Sequence, residues 1–295
     1  MPSLSPGVRG PLFMVAATCS YVINDTFMKL ATDGLPPYEV LFLRAVAACL
    51  WSVPILLALG HARNVRLIAD PRVLMRNILE LGCVLCFIVA LANMPIADAT
   101  ALGQVTPLLV LIGAATFFGE RIGPLRLLLI AVGFVGAILV AQPTMEGISL
   151  YAVLALGNAA FSAARDLVGR RIAGHVPGMI VAISAAVVVL LGSGVAHLAT
   201  ESWVAPSVRH LTLLAASGFF LIFGHFFIFM AYRSGPTDVV APFYYCFTVW
   251  AVISGAVVFG HLPNPMAAAG IAMVVGSGLV IVAIDRRRRR PMVVA

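Results

Sequence analysis

Ten apolar stretches, each about as long as a bilayer is thick and joined by short links, leave this chain little choice of fold. A helix needs roughly 20 apolar residues to cross about 30 Å of hydrocarbon. The stretches fall at 10–31, 36–58, 72–92, 95–118, 123–142, 148–170, 175–198, 210–233, 236–259 and 264–284. They use most of the 295 residues and leave no length for a soluble catalytic domain. Composition agrees: 61% of the chain is hydrophobic and 11% charged, with mean hydropathy +1.04, where soluble domains carry about 25% charged residues. Proline and glycine punctuate the links, as at Gly34-Leu35-Pro36-Pro37, Gly123-Pro124 and Pro263-Asn264-Pro265, so consecutive spans are expected to be antiparallel neighbours. MPSLSPGVRG carries no cleavage pattern, and the span after Arg9 is read as the first membrane helix.

The net charge of +7 marks topology and not nucleic acid, because the basic residues sit in links and after the last span. With the N-terminus inside, the inner side collects Arg9, Arg63, Arg66, Arg72, Arg76, Arg121, Arg126, Arg170, Arg171, Arg233 and the run Arg286 to Arg290. The outer side keeps little beyond Lys29, Arg44 and Arg209. Positive residues accumulate on the cytoplasmic side, so both termini are expected there, in a bacterial cytoplasmic membrane. The five cysteines lie in apolar segments and read as small hydrophobes; Cys83-x-x-Cys86 has no second pair and no nearby histidine to make a metal site.

Sliding the chain against itself by 141 residues superposes Asp25 on Asp166, Lys29 on Arg170, Pro36 on Pro177, Pro95 on Pro236, Phe118-Gly119 on Phe259-Gly260 and Pro124 on Pro265. One shift serves the whole length, which a duplicated five-helix unit explains. Five is odd, so the second copy enters the membrane from the opposite side. The expected fold is an all-α membrane protein of ten transmembrane helices, two inverted five-helix repeats around a central cavity. The first repeat is placed at 1–143, the second at 144–285 and a basic cytoplasmic tail at 286–295. A pseudo-twofold axis in the membrane plane suits two related states of similar energy, as alternating access requires.

Residues 90–139, ALANMPIADATALGQVTPLLVLIGAATFFGERIGPLRLLLIAVGFVGAIL, resemble the third to fifth helices of the drug/metabolite transporter superfamily. The likeness lies in the Ala-Leu-x-x-x-Pro turn, the mid-helix Pro107, the Phe-Gly-Glu-Arg helix end and the glycine-spaced helix that follows. Within that superfamily the chain is similar to the ten-helix EamA-like exporters, among them bacterial amino acid exporters of the YddG type. The resemblance implies a basket of helices around a central cavity and export of metabolites. The second half departs from the pattern: His261 stands opposite Glu120 and Thr248 opposite Pro107, so the break in the ninth helix is expected to be absent or displaced to Pro242.

Polar residues inside spans are expensive and so worth weighing as functional. Asp25 with Lys29, and Asp166 with Arg170, have the i,i+4 spacing of intrahelical ion pairs and read as gates at the outer and inner mouths that exchange partners, Arg44 or Arg165 included, as the mouths close, or as groups that snorkel at helix ends. Glu80 is read as a substrate or proton site, or as the partner of Arg76, and His225 as the proton-sensitive group or a structural histidine. Asn24, Asn158, Gln104 and its repeat equivalent Tyr245 are cavity candidates, with Tyr244 and Trp250 as aromatic surface; ordinary interhelical packing is the alternative. Gly133, Gly136, Gly270, Gly276 and Gly278 read as close helix contacts.

The function these features favour is secondary active export of amino acids or similar small amphipathic metabolites by alternating access. There is no phosphate-binding loop, no His-Glu-x-x-His and no Gly-x-Ser-x-Gly, so neither an ATP-driven pump nor an intramembrane enzyme is favoured. An importer of a metabolite or cofactor on the same fold is the alternative. The expected partners are a small-molecule substrate and membrane lipid, with no nucleic acid, cofactor or metal, and the unit is expected to be a monomer.

Overall fold

A computed structural model describes residues 6–58, 70–119, 123–142, 148–169, 171–172, 178–235 and 237–289. They form helices α1 (Pro6–Ala31), α2 (Pro37–Ala58), α3 (Pro71–Asn93), α4 (Ile96–Gly103), α5 (Thr106–Phe118), α6 (Pro124–Ala141), α7 (Leu150–Gly169), α8 (Gly178–Thr200) and α9 (Val208–Ser234). A short α10 (Thr237–Val240), a 3-10 turn (Ala241–Tyr245), α11 (Cys246–Phe259) and α12 (Pro265–Arg289) complete the chain. Helices are what hydrocarbon permits, because no water is present there to satisfy an open backbone. Prolines open five of the long ones, where the missing N–H is not needed. Asp70 caps α3 by accepting from the amides of Arg72 and Val73.

Two of the ten spans are broken, and at equivalent places. In the fourth, α4 gives way to α5 at Gln104 and Val105. Pro107 cannot donate to the Gly103 carbonyl, and the Thr106 hydroxyl donates to it instead at 2.7 Å. In the ninth, the 3-10 turn carries Pro242 at its start and ends at Tyr245, the residue 141 positions after Gln104. The break is therefore present in both copies, displaced to Pro242 in the second. Both broken spans end on a left-handed glycine, Gly119 (φ 68°) and Gly260 (φ 67°), a conformation that costs a Cβ-bearing residue about 1–2 kcal/mol.

Seven helical segments have both the length and the hydropathy of a bilayer crossing among the described residues. The other three spans, α1, α2 and α7, carry Asp25 and Lys29, Glu39 and Arg44, and Arg165 and Asp166. Consecutive spans touch in places, α2 with α3 and α1 with α2 among them, but packing is dominated by pairs across the repeats. α1 packs most extensively on α9, α3 on α7, α6 on α12 and α2 on α8. The first two pairs are equivalents of each other and the last two pair each helix with its own counterpart, the pattern of two interlocked inverted copies. α6 and α12 touch through backbone: a Cβ on Gly136 would stand 2.7 Å from the Gly270 carbonyl oxygen. Gly133 and Gly278 lie under Leu108 and Tyr245, whereas Gly276 faces open space among the described residues.

A buried apolar cluster of Met28, Leu41, Ile88, Leu91, Ile96 and Ala251 seals the end of the bundle where α1 and α3 finish. Trp250 packs against this cluster and does not line the cavity, contrary to expectation, because its face of α11 turns towards apolar helices.

Candidate substrate cavity

A cavity of about 700 Å³ lies between the repeats, lined from α1, α3, α4, α5, α7, α9, the 3-10 turn, α11 and α12, with Arg44 reaching in from α2. Asn24, Glu80, Gln104, Asn158, His225, Tyr244 and Tyr245 all face it, as do Asp25 and Asp166. The helix breaks set Gln104 and Tyr245 there: loss of regular α geometry turns the chain at both points.

At one end stands a charged cluster. Glu80 Oε2 lies 2.9 Å from Arg165 Nη1 and 3.2 Å from Arg76 Nη2, and Arg165 Nε lies 2.8 Å from Asp166 Oδ1. Glu80 is therefore held between two guanidiniums from α3 and α7. The Asp166 side chain is 45% exposed, so this end is accessible. Beside the cluster, the Cys83 thiol lies 2.9 Å from Asn158 Oδ1 and 3.0 Å from Ser162 Oγ, which gives Cys83 a structural hydrogen-bonding place.

Towards the sealed end the polar contacts are hydrogen bonds, with no ion pair among the described residues. Ser217 donates to the Asn24 side chain at 2.7 Å, Asn24 Nδ2 donates to Asp25 Oδ1 at 2.8 Å, and the hydroxyls of Thr26 and Ser254 lie 2.6 Å apart. His225 Nδ1 lies 2.8 Å from the Leu221 carbonyl. A carbonyl only accepts, so Nδ1 carries a proton. The Tyr21 ring stands edge-on to His225, with centroids 5.5 Å apart.

The gating pairs differ from the expected arrangement. Lys29 makes no ion pair with Asp25; its Nζ donates to the Leu91 and Met94 carbonyls at 2.6 and 2.8 Å. These are unsatisfied acceptors at the C-terminus of α3, where a cation is favoured, and Lys29 also lies over the Phe259 ring. Asp166 pairs with its neighbour Arg165, and Arg170 lies outside the described residues. Sequence reasoning left out Tyr21, Ser162 and Phe247 as cavity residues, and it gave Arg44 and Arg165 only a place as exchange partners of the gates. Arg44 was assigned to the outer link by its closeness to the start of a span. Its depth depends on helix–helix packing, which spacing does not report.

The EamA-like transporter family model matches residues 8–142. Across nearly the full length, the chain is 29% identical to a riboflavin transporter of Rhizobium johnstonii, covering 97% of this chain and 95% of the relative. It is 27% identical to the pseudopaline exporter CntI of Pseudomonas aeruginosa, covering 95% and 97%. It is 23% identical to an S-adenosylmethionine uptake transporter of Rickettsia prowazekii, covering 97% and 96%. A solved crystal structure superposes with a TM-score of 0.65 over 95% of this chain and 98% of the other at 20% identity, a likeness of fold.

Proposed function

Because the chain belongs to the EamA-like transporter family, within the drug/metabolite superfamily, we propose that it exports small amphipathic metabolites, amino acids included, by alternating access. It is a membrane transporter and not an enzyme. The observation that carries the finer reading is the cavity: about 700 Å³, lined from both repeats, sealed at one end and accessible at the other. Its volume falls within the roughly 300–1,000 Å³ of clefts that hold drug-sized ligands. Tyr21, Tyr244, Tyr245 and Phe247 supply surface for an apolar body, and Asn24, Gln104, Asn158 and His225 supply hydrogen bonds. Glu80, with Arg76, Arg165 and Asp166, forms the accessible mouth, and the neutral Asn24 and Ser217 contact forms part of the shut one.

In this reading the units of the transporter are the repeats 1–143 and 144–285, and both termini lie in the cytoplasm of a bacterial cell, as the arginine distribution favours. The accessible mouth then faces the cytoplasm, the loading state of an exporter. Uptake is the second reading, favoured by the likeness to an uptake transporter for S-adenosylmethionine. The test is counterflow into liposomes that contain only this protein, with labelled amino acids, riboflavin and S-adenosylmethionine, with and without a proton gradient. Saturable flux of at least one solute is expected. Its absence for all of them overturns the proposal, and flux for a cofactor alone would favour the second reading.

A further inference from the structure

Six formally charged side chains line the cavity, three cationic (Arg44, Arg76, Arg165) and three anionic (Asp25, Glu80, Asp166). Four of them are consumed in the Arg76, Glu80, Arg165 and Asp166 cluster. The remaining two, Arg44 and Asp25, make no ion pair within 4.0 Å among the described residues. Both are about 94% buried, each with 6% of its surface exposed. Arg44 Nε is sealed from solvent without an acceptor, and the guanidinium donates no hydrogen bond among the described residues. Asp25 accepts only from Asn24.

A buried guanidinium without an acceptor is costly. Arg44 is also the one residue of α2 that lines the cavity among the described residues, on a helix that otherwise packs against α8 and α9. Asp25 lines the same cavity from the neighbouring α1, yet the two side chains form no ion pair within 4.0 Å among the described residues. Opposite charges held apart at the blind end of a cavity are the complement of a group that carries both. We propose that Arg44 and Asp25 together read a zwitterionic head group, the carboxylate of the cargo on Arg44 and its ammonium on Asp25. The guanidinium fork matches a carboxylate bidentately. Gln104, whose Oε1 has no partner, and the ring of Tyr21 then border the body that trails towards the accessible mouth.

This rests on the transport reading but narrows it to a cargo chemistry, and three probes of one skeleton test it. L-phenylalanine carries both charges, phenethylamine only the ammonium and 3-phenylpropionate only the carboxylate. In thermal-shift titrations of the purified full chain in detergent, L-phenylalanine is expected to half-saturate at least tenfold below either analogue. In Arg44→Gln its advantage over phenethylamine should vanish, and in Asp25→Asn its advantage over 3-phenylpropionate should vanish. Arg44→Lys keeps the charge without the fork. It should weaken both carboxylate probes about tenfold and leave phenethylamine unchanged, which a misfolded variant would not do. Half-saturation of all three probes within twofold, no stabilisation by any of them, or an equal loss of all three in the variants overturns the head-group assignment. Counterflow of other solutes would then still stand as evidence for transport, so the two failures are separable.

Discussion

The contact of α1 with α9 and the contact of α7 with α3 are the same contact made twice, 141 residues apart, and most of their polar chemistry has diverged. Where the first has Asn24 bonded to Ser217, the second has Arg165 beside Arg76 with Glu80 between them. Where the first sets the Tyr21 ring over Gly224, the second sets Ser162 against Cys83. The two aspartates are unchanged, Asp25 bonded to an amide and Asp166 to a guanidinium, as are the alanines Ala90 and Ala231. Duplication supplied the symmetry of backbone that lets two mouths form. Divergence then left one of them sealed and without an ion pair among the described residues, and the other ionic and accessible.

The comparison breaks most visibly at Glu80. Glu80→Ala leaves Arg76 and Arg165 facing each other without their shared counter-ion. Removing one partner of a buried pair costs about 3–5 kcal/mol, and the partial exposure here brings the expected loss to about 2–3 kcal/mol. A melting temperature equal to that of the parent would deny the cluster its role. Gly224→Val comes next. A Cβ there would stand 2.6 Å from the Tyr21 ring, so the ring must move, at about 1–3 kcal/mol. Cys83→Ala, at the equivalent place, should cost clearly less in the same melting assay, and equal losses would contradict the asymmetry. A double-mutant cycle of Asn24→Ala with Ser217→Ala should return a coupling of about 1 kcal/mol. The smallest effect is that of salt. Raising it from 50 to 500 mM should loosen the ionic mouth by a few tenths of a kcal/mol. Labelling of Asp166→Cys in a Cys-depleted background should rise with salt, while labelling of Asp25→Cys stays flat.

What could be read beforehand divides along the same line. The spans and their breaks follow from local chemistry: apolar length, proline without an N–H, glycine at a left-handed cap. One shift in register therefore anticipated the matched Gly119 and Gly260 and the opposition of Gln104 to Tyr245. Side-chain partners are tertiary, and there spacing misled. Lys29 sits four residues after Asp25, yet the empty carbonyls at the end of α3 are the better acceptors, and no pattern within α1 reports where α3 ends. Trp250 and Arg44 exchanged expected places for the same reason, since helix rotation against neighbours decides which face looks inward.

The interlocking of the repeats has a consequence for how the protein is made. α1 leaves the ribosome about 200 residues before its main partner α9 is complete, and α3 about 75 before α7. At about 5–20 residues per second, α1 waits roughly 10–40 seconds in the bilayer and α3 roughly 4–15. During that time the faces that will carry Asn24, Asp25 and Glu80 must be sheltered by lipid, the insertion machinery or one another. The first five helices are thus an unfinished half whose polar seam closes only when the second half arrives, and the two halves synthesised as separate chains should find each other for the same reason.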